Sequence, residues 1–173
     1  MKYQTKYSLK SSIQYGVSLV VCLLFWGCSA ISVLAPIDDK LSNGIVRFYE
    51  DGNYLKTHVY LENLIPLNTY SLRIYSVGDC RDPVRGSIGQ PFDHTLHNSQ
   101  RDATEAQKIG GLGIVTADEN GLVEAQFLTL GSKLTGPRGE SILGRSLILI
   151  ATGQSEEIDR PIACGLISKN STL

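Results

Sequence analysis

From Asn43 onward the chain alternates apolar and polar residues in short runs that turn residues cut off, and no stretch carries the three-to-four-residue period of a helix. That pattern restricts the chain to strands and turns. Ile45, Arg47 and Tyr49 alternate with Val46 and Phe48; Glu50-Asp51-Gly52-Asn53 supplies a turn, and a second run follows at Thr57 to Glu62. Thr69 to Val77 forms a third run. Leu112 to Ala117 and Leu122 to Leu130 flank the turn Asp118-Glu119-Asn120-Gly121, where glycine suits a positive φ. Ser146 to Ile150 is nearly all apolar, as a strand buried by barrel closure would be, and Pro161 to Ile167 is the last run. Between the third and fourth runs, Asp79 to Gly111 has glycines, prolines and polar clusters without an apolar period. A loop of roughly 30 residues is uncommon unless it serves a function. The fold class expected is all-β, an antiparallel sandwich or Greek-key barrel.

The first 35 residues have a different composition. Lys2, Lys6 and Lys10 precede an uncharged run from Val17 to Ala35, the pattern of a membrane-targeting segment. As a signal peptide it offers cleavage after Ala30 or after Ala35. As a signal anchor its 19 residues would rise about 28 Å, close to the roughly 30 Å hydrocarbon thickness. Both readings place the remainder outside the cytoplasm, secreted or held at the membrane through residues 17–35. Leu24-Phe25-Trp26-Gly27-Cys28 also bears a faint likeness to a lipoprotein cleavage box, which the bulky Trp26 spoils. The expected organisation is a targeting segment at 1–35, a linker at 36–42, the β domain at 43–168 and a tail at 169–173.

Export gives the cysteines meaning. Cys22 and Cys28 fall in the targeting segment, which leaves Cys80 and Cys164 for the domain. In an oxidising compartment such a pair suggests a disulfide, with two buried free thiols as the alternative. Asn170-Ser171-Thr172 is an N-glycosylation sequon at Asn170. The formal charge of −1, from 16 basic and 17 acidic residues, provides no field for nucleic acid. No CxxC, HExxH, GxSxG or phosphate-binding loop is present.

Three segments together resemble the Cu/Zn superoxide dismutase family: Gly110-Gly111-Leu112-Gly113-Ile114-Val115-Thr116-Ala117-Asp118, Ile142-Leu143-Gly144-Arg145-Ser146-Leu147-Ile148-Leu149, and Ile162-Ala163-Cys164-Gly165-Leu166-Ile167. Their order and spacing cover residues 43 to 167. The resemblance implies an eight-stranded antiparallel Greek-key β-barrel, related to the immunoglobulin-like sandwich, with two long loops, and it matches Cys80 with Cys164 as the family's intrachain disulfide. It also implies copper and zinc, but the ligand positions it points to are occupied by other residues. Arg73 and Tyr75 stand for the first copper histidines, Pro91 for the bridging histidine, Lys108 and Gly111 for zinc ligands, and Ile150 for the last copper histidine. The chain has only His58, His94 and His97, fewer than copper alone would want. His58 lies in a strand. His94 and His97, near Asp93, Asp102 and Glu105, are the pair that could bind a divalent ion. Pro161 replaces the anion-guiding arginine, with Arg160 one residue earlier, and only 13 residues separate Ile150 from Cys164, so the guidance loop is shortened.

Superoxide dismutation needs a centre that cycles by one electron, and side chains alone do not supply one. The expectation is therefore a dismutase-like barrel without cofactor, serving as a structural or binding module, with a redox enzyme of altered metal site as the alternative. The family's dimer face, here Gly78, Leu143-Gly144 and the Ile167 region, implies a homodimer or a heterodimer with a related barrel as one form of partner.

Overall fold

The computed structural model describes residues 29–37, 41–92, 111–130, 132–136, 141–152 and 160–170. Among them are the strands β1 (Ser29–Pro36), β2 (Asn43–Asp51), β3 (Tyr54–Glu62), β4 (Thr69–Tyr75), β5 (Gly111–Thr116), β6 (Val123–Leu130), β7 (Ser146–Ala151), β8 (Arg160–Leu166) and a two-residue β9 (Ser168–Lys169). Neighbours pair in the order β5-β4-β7-β8-β1-β2-β3-β6, with β9 on β1, and all strand pairings are antiparallel. The chain crosses from one sheet to the other between β3 and β4, between β5 and β6, and again between β6 and β7, which is Greek-key connectivity. The two ends of the path, β5 and β6, are joined by the turn at Asp118. Its carboxylate accepts the backbone N–H groups of Asn120 and Leu122, each at 2.8 Å, and Gly121 takes the positive φ of 76° that the turn needs. Phe127 of β6 packs against Gly113 of β5 where a side chain on β5 would leave no room, so the barrel is nearly closed.

The runs expected from Asn43 onward are strands, but the domain begins earlier than expected. Ser29–Pro36, assigned from sequence to the targeting segment and the start of the linker, is a central strand. It pairs with β2 from Ser29↔Tyr49 to Leu34↔Gly44, and with β8 at Ala35↔Cys164 and Pro36↔Ala163. Its Ala30, Ser32 and Leu34 are buried while Val33 is 61% exposed, the period-two alternation of a strand with one face on a core. Among the described residues the barrel therefore starts at Ser29, inside the span that the sequence reading sets aside for targeting. Residues 1–28 lie outside the described residues.

The main core gathers the inward side chains of all the long strands, among them Leu34, Phe48, Leu55, Leu61, Tyr70, Leu72, Leu147 and Leu149. Tyr70 is the largest of them, and its hydroxyl is satisfied by the Ile65 backbone, whose N–H donates to it at 2.9 Å. β7 is buried on both faces, as its apolar run suggested, but for a different reason. Leu147 and Leu149 face the main core, whereas Ile148 and Ile150 enter a second cluster outside the barrel wall.

Candidate functional site

β4 shows how the wall separates core from site. Tyr70, Leu72 and Ile74 point inward, so Ser71, Arg73 and Tyr75 are on the outer face. On the same face β7 presents Ile148, opposite Arg73, and Ile150, opposite Ser71, while β8 presents Cys164, opposite Ile148. The chain after β4 folds back over this face. Ser76 and Val77 donate their N–H groups to Gln90 and Ile88 at 2.8 and 2.9 Å, Phe92 donates to Ile74 at 2.8 Å, and Pro91 bridges to Tyr75. This return brings Ile88 onto the wall. Ile88, Ile148, Ile150 and Cys164 form a buried apolar cluster, 0–4% exposed, against which Tyr75 and Ile37 pack.

Three attachments hold the returning segment. The Arg145 guanidinium donates from Nε to the Ser141 carbonyl at 2.7 Å and from Nη1 to the Ser76 carbonyl at 3.0 Å, with its carbon 3.7 Å from the centre of the Phe92 ring. Burial lowers its pKa from the ordinary arginine value. Ser146 donates its hydroxyl to the Val77 carbonyl at 2.7 Å. Cys80 is covalently joined to Cys164, with Cα atoms 5.8 Å apart, so the expected disulfide is formed. Beside it opens a cleft of about 490 Å³, lined by residues that include Ile37, Arg81, Arg85 and the two half-cystines. Asp79 holds Arg81 through two side-chain nitrogens, Nε at 3.0 Å and Nη2 at 2.6 Å, and this contact lowers its carboxyl pKa to about 2.

Of the six ligand positions that the resemblance indicated, the fold brings five together. Gly111 of β5 lies opposite Arg73 of β4, Pro91 is bridged to Tyr75, and Tyr75 packs on the cluster that contains Ile150. Lys108 lies outside the described residues, as do His94 and His97. Arg73 Nε donates to Ser71 Oγ at 3.0 Å. A guanidinium is protonated at any accessible pH and has no lone pair to offer. The side chains of proline, isoleucine and glycine have none either, so the only ring donor among the five is the Tyr75 phenol. Copper and zinc ask for imidazole, thiolate or carboxylate donors in a tetrahedral or tetragonal set, and these five residues do not fit either ion. Among the described residues no group of three or more His, Cys, Asp or Glu is gathered for a metal.

The remaining sequence candidates lie elsewhere. His58 sits mid-strand in β3, half-buried, with its ring edge-on to Tyr49 at 5.3 Å. Arg160 starts β8 opposite Ala151 and is exposed. Asn170 is exposed and donates its backbone N–H to the Ser29 carbonyl at 2.9 Å. Gly78 lies against the backbone of Gly144 within the chain, Ile167 is wholly buried, and Leu166, 48% exposed, reaches the surface there. Sequence reasoning missed the roles of Ile88, Ile148 and Arg145. In the sequence Arg145 stands only as part of the motif from Ile142 to Leu149.

The model of the copper/zinc superoxide dismutase family matches residues 42–167. A virus protein named superoxide dismutase [Cu-Zn], from Paramecium bursaria Chlorella virus 1, is 29% identical over 123 residues, which is 70% of this chain and 63% of the relative. The chain thus spans under two thirds of that relative's length. With a matching family model over most of the chain, the Greek-key barrel and the Cys80–Cys164 bridge, this protein belongs to the copper/zinc superoxide dismutase family.

Proposed function

We propose that this protein is an exported member of the family that does not carry out dismutation and works through its surface, as a structural or binding module. The observation that carries this reading is the packing of Tyr75 and Ile150 with Ile88, Ile148 and Cys164, where the family resemblance sets copper ligands. Alternating reduction and oxidation of superoxide needs a metal that changes valence by one electron. An isoleucine cluster supplies neither the ligands nor the access, since small anions do not enter closely packed apolar volume. The charged surroundings agree with this, because Arg160 stands at the strand end and Pro161 holds the place of the family's guiding cation.

The test is direct. The full chain, purified after expression in copper- and zinc-supplemented medium, is assayed for bound metal by mass spectrometry and for superoxide turnover. Substoichiometric copper and turnover no faster than background are expected. One copper per chain with superoxide-dependent turnover would overturn the proposal and move attention to His94 and His97, the route by which the activity named for the virus relative could persist. The same preparation reports on partners. Co-purification of a second barrel would identify the module as a subunit that pairs with a relative.

A further inference from the structure

We infer that the export leader is cut within Gly27-Cys28-Ser29-Ala30 and removed, so that the protein is released with Ile31–Pro36 retained as a central strand of the barrel. The inference rests on the export proposed above. It separates the readings that sequence alone left open: cleavage after Ala30, cleavage after Ala35, and an uncleaved anchor.

The position of β1 decides against the later cut. β1 lies between β8 and β2 and is hydrogen-bonded to strands on both sides. Its Leu34 is 1% exposed in the main core, and the would-be side chain of Gly165 on β8 would collide with the Val33 carbonyl. Cleavage after Ala35 would leave only Pro36 of this strand, part the barrel between β8 and β2, and bare two strand edges at once. Cleavage inside Gly27–Ala30 removes at most Ser29 and the buried Ala30, and with them the end pairs Ser29↔Tyr49 and Ala30↔Phe48, the β9 contact Ala30↔Lys169 and the bond from the Asn170 N–H to the Ser29 carbonyl. Everything from Ile31↔Arg47 inward stays paired.

The strand also shortens what is left for the membrane. With Ser29–Pro36 in the barrel, the apolar run is Val17 to Cys28, 12 residues. As a helix this rises about 18 Å, well short of the roughly 30 Å needed to span, but it is within the range of a leader's apolar core. Directly after the last bulky residue, Trp26, come four small ones, Gly27, Cys28, Ser29 and Ala30, and small side chains are what leader peptidases accept beside the scissile bond. The step is hydrolysis of one peptide bond by the host's peptidase, with water supplying the new carboxylate and amine.

The experiment uses the full chain with its own amino terminus, expressed in insect cells, with intact-mass and terminal-peptide mass spectrometry on medium, membrane and cytosolic fractions. Protein in the medium beginning at Cys28, Ser29, Ala30 or Ile31 is expected. A start at Pro36, or a chain uncut and held in the membrane fraction, would overturn the inference while leaving export intact. A chain beginning at Met1 and confined to the cytosol would overturn both the inference and the export on which it rests. A second comparison places a foreign leader before Ser29 or before Pro36. The first fusion is expected in the medium with a cooperative melt and the second at least tenfold lower; equal yield and an equal melting midpoint would refute the retained strand.

Discussion

Breaking the Cys80–Cys164 bridge should expose how much of the barrel's stability it supplies. The bridge closes a loop of 84 residues. In the chain-entropy account, closing such a loop in the unfolded chain stabilises the fold by about 4.5 kcal/mol at 25 °C. At about 3–4 °C per kcal/mol for a domain of this size, that corresponds to a fall in midpoint of roughly 15 °C. The two ends differ, because Cys80 is exposed whereas Cys164 is 4% exposed among Ile88, Ile148 and Ile150. Cys80→Ser leaves a buried thiol, which behaves as a small apolar group, so it should show the loop contribution nearly alone. Cys164→Ser adds an unpartnered hydroxyl in the cluster and should cost about 1–3 kcal/mol more. Thermal melts by circular dichroism, with and without dithiothreitol, test both. The reductant should bring the wild type down to the Cys80→Ser midpoint and leave that variant unmoved. A Cys80→Ser midpoint within about 2 °C of wild type would refute the covalent contribution, and equal midpoints for the two variants would refute the assignment of Cys164 to an apolar site.

Two further outcomes come from the same face. Ile150→Ala should destabilise by about 3 kcal/mol in urea unfolding because it opens a cavity against Ile88 and Ile148, whereas truncating Leu128, 65% exposed on β6, should change little; equal effects would show that Ile150 is not packed. Asp79, whose carboxyl is held at about 2 by Arg81, should titrate near that value by NMR and return toward 3.8 in Arg81→Ala. Because the folded-state pKa is depressed, the stability Asp79 adds is present in full above about 3.8 and lost as pH falls through about 2. The difference in urea midpoint between wild type and Asp79→Asn should therefore fade over that window and be unchanged between pH 5 and 7.

Much of the barrel was legible because its strands obey a simple alternation. In β2 and β3 the apolar positions Val46, Phe48, Val59 and Leu61 fall on one face, and the turn residues between the strands are those a hairpin needs. β1 hid because it inverts that rule. It buries Ser32 and exposes Val33, so its composition merges with the apolar run upstream and no period marks its start. The candidate site was legible as a set of positions and illegible as a structure. The family resemblance implies that Arg73, Tyr75, Pro91, Gly111 and Ile150 lie together, but the cluster is completed by Ile88 and Ile37, which come from irregular segments where sequence carries no directional signal. The one available clue was β7, whose run of apolar residues is too complete for a wall with solvent on one side.

That clue also explains how residues on the outer face can differ while the core is kept. Along β4 the residues of the core and those of the outer site alternate, so Ser71, Arg73 and Tyr75 can change while Tyr70, Leu72 and Ile74 remain. The outer face cannot become arbitrary, however, because Ile148 and Ile150 would then form an exposed apolar stripe. It has to be covered. A metal bound only to the native state would favour the covered arrangement by mass action. Here the cover is Ile88 and the segment around it, held by burial on the isoleucines, by Arg145 and Ser146 gripping the Ser76 and Val77 carbonyls, and by the bridge from Cys80. Each of these holds the described segment, residues 76–92, through groups already on the wall, by apolar burial, hydrogen bonds and covalent closure.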